Sequence, residues 1–259
     1  MRILAVGDVC GPCGVSCIER HLPAVREELA ADAVIVNAEN AAVYGIRPDE
    51  ARRILSAGAD MITLGNHTFK QKAIASFLDE SEAILRPANL APSLPGQGMA
   101  FLQTPVGELA VLNLIGRCDL PFGPESPFTA ADRLLARARE RTAFVAVDFH
   151  AEATSEKYAM AYYLDGRAGA LWGTHTHVQT ADERVFPGGT GFLCDLGMTG
   201  ARDSIIGVRP DTSVAYFLGD MLSRFVTAEG PAMLCGALFT LDDATGRCVS
   251  VERVRYDED

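Results

Sequence analysis

Short apolar runs recur along this chain, and each stops at a polar residue able to bind a metal or carry a proton. Ile3-Leu4-Ala5-Val6 gives way to Gly7-Asp8, Ala33-Val34-Ile35-Val36 to Asn37, and Met61-Ile62-Thr63-Leu64 to Gly65-Asn66. Later, Phe144-Val145-Ala146-Val147 ends at Asp148-Phe149-His150, and Ala168-Gly169-Ala170-Leu171-Trp172 runs into Gly173-Thr174-His175-Thr176-His177. Runs this short read as strands buried on both faces. Between the first two the period changes. Val15, Ile18, Leu22, Val25 and Leu29 recur at intervals of three and four, with Glu19, Arg20, Arg26 and Glu27 off the stripe, which predicts an amphipathic helix. A second helix is expected over about 48–57. Strand, helix and strand in alternation argue for an α/β fold with a substantially parallel sheet.

The remainder is more varied. Residues 99–115 read as a hairpin turning at Val106-Gly107-Glu108, and Thr129-Ala130-Ala131-Asp132 resembles a capping box opening a helix to about 142. A helix is expected at about 154–165, a tight turn at Pro187-Gly188-Gly189-Thr190-Gly191, and a Gly-rich, strandless segment over 197–207. Over 211–225, Val214, Phe217, Met221 and Phe225 share a helical face and read as core. The stretch 232–255 reads as a long hairpin turning at Asp242-Asp243-Ala244-Thr245-Gly246. With 48% hydrophobic residues and no visible linker, the 259 residues fit one large domain, 1–259.

Charge and cysteine usage narrow the function classes. A net charge of −11 repels polyanions at long range, so nucleic acid is not expected as a stable partner. A small phosphate ester is not excluded, because bound metal reverses the sign locally. The seven cysteines are odd in number and irregular in spacing, so they imply no disulfide framework. The first apolar run is too short for a signal peptide, and no run reaches membrane-spanning length. A cytoplasmic protein without a membrane partner is expected. A homo-oligomer is left open.

Histidine usage sharpens the picture. Of five histidines, His67, His150, His175 and His177 lie at the strand ends, and His21 lies within the first helix. In α/β sheets, ligands bind in the crevice beyond the carboxyl ends of strands. The strand-end residues could therefore meet, although they are scattered along the sequence. A phosphoester repels nucleophiles, and two cations about 3.5–4 Å apart neutralise it and activate a water. Glu39 can bridge two ions, and the Asn66 carbonyl can ligate without adding charge. In extended backbone His175 and His177 would face the same side.

These residues resemble the calcineurin-like metallophosphoesterase superfamily, and most closely its YmdB-like branch. Gly65-Asn66-His67 matches the Gly-Asn-His motif, and Gly173-Thr174-His175-Thr176-His177 matches Gly-x-His-x-His. Asp8 matches the first Asp and His150 the isolated metal-binding His. Ala38-Glu39-Asn40 and Asp195-Leu196-Gly197-Met198-Thr199-Gly200 look like the YmdB-like branch in particular. The resemblance runs from Gly7 to about Gly207. It implies a four-layer α/β/β/α sandwich of two mixed sheets flanked by helices. It also implies a dinuclear metal site of Asp8, Glu39, Asn66, His150, His175 and His177, with Asn40 close by and counted among the metal-binding residues. His67 would be catalytic, donating a proton to the leaving oxygen or clamping the phosphate. The ions would be iron or manganese, with zinc as the alternative. The implied activity is phosphodiester hydrolysis, including cyclic nucleotides. The alternatives are a nucleotidase or phosphomonoesterase on the same scaffold, or a metal-binding regulatory protein with vestigial hydrolysis. One departure stands out. The superfamily usually reads Asp-x-His at its first motif, and this chain reads Asp8-Val9-Cys10. Cys10 could serve there as a soft ligand.

Other features have plainer readings. Cys10, Cys13 and Cys17 lack a second Cys/His pair at zinc-finger spacing and read as buried or incidental thiols. Gly7, Gly11 and Gly14 do not fit a dinucleotide-binding loop, and read as a loop that lets backbone approach the metals. Asp148, Glu152 and Asp195 could orient neighbouring groups or simply cap strands, and Asp203 and Ser204 could lie in an active-site loop or a mere connection.

Overall fold

The computed structural model describes residues 1–120, 125–220 and 222–258. One sheet takes in β1 (Arg2–Val6), β2 (Asp8–Val9), β3 (Ala33–Asn37), β4 (Met61–Thr63), β5 (Ile84–Leu85), β12 (Met198–Ala201), β13 (Ala232–Leu241) and β14 (Cys248–Asp257). Its order is β2-β12-β13-β1-β3-β4-β5, with β14 paired to β13. The other takes in β6 (Met99–Gln103), β7 (Glu108–Ile115), β8 (Phe144–His150), β9 (Ala170–Thr174), β10 (Arg184–Val185) and β11 (Gly191–Leu193), in the order β10-β11-β9-β8-β7-β6. β1, β3 and β4 run parallel in the first, as do β7, β8 and β9 in the second, while hairpins at the edges are antiparallel. Both sheets are therefore mixed.

Strand periodicity explains the layering. Along β1, Leu4 and Val6 face one way and Ile3 and Ala5 the other; along β8, Val145, Val147 and Phe149 oppose Phe144 and Ala146. One set packs under α1 (Gly11–Glu28), α2 (Pro48–Ser56) and α3 (Ile74–Glu80). The opposite outer face packs under α4 (Pro127–Arg139) and α5 (Thr154–Leu164). The inward sets meet between the sheets, where Trp172 on β9 and Phe239 on β13 lie with ring centroids 5.5 Å apart. The result is the expected α/β/β/α sandwich.

Three local expectations need correction. α4 starts at Pro127, ahead of the proposed cap at Thr129, because proline at the first turn is already shaped for a helix. Residues 198–201, expected to be strandless, form β12 between β13 and β2. The helix expected over 211–225 is α6 (Pro210–Phe217) and ends early. Gly219 adopts φ +105°, and the Asp220 and Gly219 amides donate to the carbonyls of Ala215 and Tyr216. That is a Schellman stop, which the glycine makes cheap. Val214, Phe217 and Phe225 are consequently exposed rather than core, and Met221 lies outside the described residues.

Trp172 is 1% exposed and fills the space between the sheets. Trp172→Ala should cost about 3–5 kcal/mol of stability, as large-to-small core changes do. The midpoint of chemical denaturation at unchanged slope checks it, and a loss no larger than that of a surface substitution would contradict this packing.

Candidate metal centre

Strands from both sheets deliver their carboxyl ends to one place. Asp8 lies in β2 just past β1, Glu39 and Asn40 follow β3, and Asn66 and His67 follow β4. His150 is the last residue of β8, and His175 and His177 follow β9. The eight metal-binding and catalytic candidates, Asp8, Glu39, Asn40, Asn66, His67, His150, His175 and His177, come together there. His150 Nε2 lies 3.1 Å from Glu39 Oε1, 2.8 Å from Asn66 Oδ1 and 3.1 Å from His175 Nδ1. His177 Nε2 lies 3.1 Å from Asn40 Nδ2 and 3.8 Å from Asp8 Oδ1. Asp8, Glu39 and His150 are wholly buried. Gly65 makes the approach possible: a Cβ there would sit 2.3 Å from both Glu39 Oε2 and His150 Nε2. Gly7 and Gly14 instead allow packing against the backbone oxygens of Gly197 and Thr199, so they are not the glycines that face the cluster.

The convergence of His175 and His177 does not arise from extended backbone. β9 ends at Thr174, and the two histidines adopt φ +101° and +65°. Side chains rarely hold this region without support. Support comes from Asp195, whose Oδ2 accepts from the Thr176 amide at 3.2 Å and its hydroxyl at 2.7 Å. The same oxygen is ion-paired to the buried Lys157 at 2.7 Å. The His175 amide also donates to Asp8 Oδ2 at 3.1 Å.

A second set of contacts fixes His150. Its Nδ1 lies 2.9 Å from Thr174 Oγ1, which donates to Asp148 Oδ1 at 2.8 Å. Asp148 also accepts from Thr63 and Asn37. It therefore orients the imidazole through Thr174 rather than directly, leaving Nε2 for the cluster. Thr174 and Lys157 carried no signal in the sequence, since threonine suits any strand and a helical lysine reads as surface. Glu152 reaches His175 Nε2 at 3.0 Å from a half-exposed position. Asp203 is largely exposed, and the loop after β12 instead touches the cluster through the Ile206 carbonyl, 3.1 Å from His177 Nδ1.

The electrostatics fit cations. Asp8 Oδ1 is buried with no hydrogen-bond partner. Burial raises the Asp8 pKa to about 6, against the pull of His177 and His150. Burial also pushes Glu39 upward, yet His150 and His67 beside it hold it well below the usual carboxylate range. Burial and the neighbouring His150 drive His175 down to about 3, so its imidazole is neutral and ligand-ready. Oxygen and imidazole donors with an unsatisfied buried carboxylate oxygen suit iron, manganese or zinc. Cys10 Sγ lies 3.5 Å from His177 Nδ1 and 4.0 Å from its Nε2, in the lining of the same cleft.

A cleft of about 510 Å³ opens over the cluster. His67 lines it, with Nδ1 2.9 Å from Asn40 Oδ1 and 3.3 Å from Glu39 Oε1. The Tyr44 ring packs edge-on against His67, and Ile206, Phe217 and Phe225 form an apolar wall.

The family model of YmdB-like proteins matches residues 4–254. The chain belongs to the YmdB-like family. This family lies within the metallophosphoesterase superfamily, in agreement with the motif resemblance. One relative, a 2′,3′-cyclic-nucleotide 2′-phosphodiesterase of Bacillus subtilis (strain 168), is 43% identical over 100% of this chain and 98% of its own. A putative phosphatase/phosphodiesterase of Mycoplasma pneumoniae is 34% identical over 100% and 94%. Among solved structures, a hypothetical protein from Thermus thermophilus matches with TM-score 0.92 and 39% identity, covering 100% of both chains. A Mycoplasma pneumoniae structure described as a novel phosphatase matches with TM-score 0.92 and 33% identity, over 100% of this chain and 94% of that one. Membership in the YmdB-like family makes this chain a phosphoric ester hydrolase. No helix among the described residues is long and apolar enough to cross a membrane.

Gly65→Ala should lower metal content per chain while far-ultraviolet circular dichroism stays unchanged, because the new methyl group displaces Glu39 and His150. Elemental analysis of protein purified with excess manganese checks this, and full occupancy would contradict the role given to Gly65.

Proposed function

We propose that this chain is a dinuclear-metal phosphodiesterase acting on small diesters of the 2′,3′-cyclic-nucleotide kind, with residues 1–259 as one catalytic domain. The observation that carries the proposal is the convergence on one cleft of Asp8, Glu39, Asn66, His150, His175 and His177, with the Asp8 Oδ1 lone pairs unsatisfied. These six residues together with Asn40 would hold the ions, and Asn40 Oδ1 lies 2.9 Å from His67 Nδ1. When bound, such a pair of cations neutralises phosphate charge and makes a water acidic enough to attack at neutral pH. Iron or manganese fits the oxygen and imidazole donors, and zinc is the alternative. A cytoplasmic setting accords with seven free thiols.

The chain's own groups do the rest. His67 has Nδ1 committed to Asn40 and Glu39, which leaves Nε2 to hold a proton for the departing ribose oxygen. Glu39 Oε2 accepts from the His67 amide at 2.9 Å, so the residue presenting the proton is anchored to one that would hold metal. The half-exposed Tyr44 braces the His67 ring. The apolar wall of Ile206, Phe217 and Phe225 suits a nucleobase, whose faces stack on aromatic rings. The relatives named as 2′,3′-cyclic-nucleotide 2′-phosphodiesterase and phosphatase/phosphodiesterase support this substrate class.

His67→Ala should cut turnover of 2′,3′-cyclic nucleotides and bis(p-nitrophenyl) phosphate by about 10²–10⁴-fold, the usual worth of a positioned proton donor. Metal content should not change. If the variant loses metal in proportion to activity, His67 is a ligand and its role as acid is wrong.

Phe217→Ala should raise KM for cyclic nucleotides about tenfold with kcat retained, since stacking on one aromatic ring is worth about 1–3 kcal/mol per base. Steady-state kinetics checks it. A fall in kcat at constant KM would place Phe217 in the chemistry instead of the base wall.

A further inference from the structure

A second cluster of metal-binding side chains lies away from the catalytic cleft. On α1, Cys13, Cys17 and His21 follow one another at intervals of four, which puts them on one face of the helix. Cys13 and Cys17 lacked a partner at zinc-finger spacing. The fold brings one from the far end of the chain: Glu258, just past β14. Ligand atoms of Cys17, His21 and Glu258 all lie within 4.8 Å of one another. His21 Nε2 and Glu258 Oε1 are 2.6 Å apart.

The cluster is held in place from several sides. Glu258 Oε2 accepts from the Ala232 amide at 2.9 Å, and the Glu258 amide and carbonyl bond to the Ala232 carbonyl and the Arg202 guanidinium. The His21 ring packs on Tyr256 with centroids 4.6 Å apart. Cys17 is fully buried, while His21 and Glu258 are partly open to solvent. An ion could therefore enter from one side and meet a thiol on the other.

We propose that Cys17, His21 and Glu258 form a separate binding site for a zinc-class divalent ion, tying α1 to the carboxyl end of the chain. Tetrahedral zinc holds sulfur, nitrogen and oxygen donors about 3–4 Å apart, a spacing reached here by small side-chain movements. One thiolate and one carboxylate neutralise the ion, and one imidazole completes the protein ligands. Water takes the fourth position. Softness separates this site from the catalytic cluster, whose donors are oxygens and imidazoles. Burial, and then Glu258, pushes the Cys17 thiol up to about 12. Ion binding at neutral pH must therefore release the thiol proton to solvent. Arg20 Nη2, 2.6 Å from Glu258 Oε1, is the competitor. It is half-exposed and can turn to water when a divalent ion takes the carboxylate.

Cobalt(II) is the probe, because only thiolate ligation gives its intense near-ultraviolet charge-transfer absorption. Titration of the full chain should show this band in the wild type and in Cys10→Ala, which removes the thiol beside the catalytic cluster. Cys17→Ser should abolish the band and lower bound cobalt by one equivalent. His21→Asn and Glu258→Gln, at partly exposed positions, should each weaken that equivalent at least tenfold while phosphodiester turnover is retained. They decide the matter if Cys17→Ser does not fold. A band that survives in Cys17→Ser but not in Cys10→Ala overturns the proposal. So does unaltered cobalt affinity in both His21→Asn and Glu258→Gln, or a wild type that fills its catalytic cluster without showing the band.

Discussion

The structure turns on a cluster of buried polar groups that includes a carboxylate oxygen, Asp8 Oδ1, with no hydrogen-bond partner. Asp8, Glu39 and His150 are removed from water, and His150 Nε2 faces an Asn oxygen, a carboxylate oxygen and another imidazole nitrogen at once. A single proton on that nitrogen serves only one of them. Burying unpaired polar groups is costly enough that folded chains seldom do it. Divalent cations, which membership in this family implies, would turn the same arrangement from a liability into a set of bonds. The opposed pKa directions are one symptom of this: Asp8 is raised, Glu39 lowered, and His175 driven down to about 3.

Holding such a cluster together requires rigidity, and the fold supplies it through both sheets. β1, β3 and β4 bring one set of donors and β8 and β9 the other, so inter-sheet packing around Trp172 and Phe239 sets the distance between them. The weak point is the turn after β9, where two histidines occupy left-handed backbone. Lys157 and Asp195 secure it with a buried ion pair that also takes both polar groups of Thr176. A pair of this kind contributes little net stability, since desolvation cancels most of the attraction. What it fixes is the path of the backbone. A close approach behind it leaves no room for change, as a Cβ on Gly173 would meet the Cys194 carbonyl oxygen at 1.9 Å and Lys157 Cδ at 2.7 Å.

Much of this was legible in the residues alone. Short apolar runs ending at Asp8, Asn66, His150 and His175 announced both the strands and the cluster, because strand period and strand-end chemistry are local properties. The layering followed from the family resemblance and is borne out by alternation along β1 and β8. What the sequence hid was either non-local or a matter of backbone hand. The Thr174–Asp148 link to His150 depends on two parallel strands in register, with Asp148 opposite Trp172 and His150 opposite Thr174. The meeting of Glu258 with His21 spans almost the whole chain. Over 211–225, apolar spacing outweighs one glycine on paper, yet that glycine ends the helix and turns the expected core face into a wall of the cleft.

That wall bears on how an acidic chain can handle anions. A net charge of −11 opposes a polyphosphate over its whole length, since every nucleotide adds a charge to be brought near the surface. A small diester carries one charge, and screening over about 8–10 Å limits it to the groups around the cleft. There the local balance would be reversed by cations held among Asp8, Glu39 and the imidazoles. Away from the cluster the cleft lining includes Tyr44, Ile206, Phe217 and Phe225. Exposed aromatic surface of this kind is unfavourable in water and does not serve the core. The cleft thus places the metal-binding residues and an apolar wall in one cavity, which fits the proposed small diester better than a long polyanion.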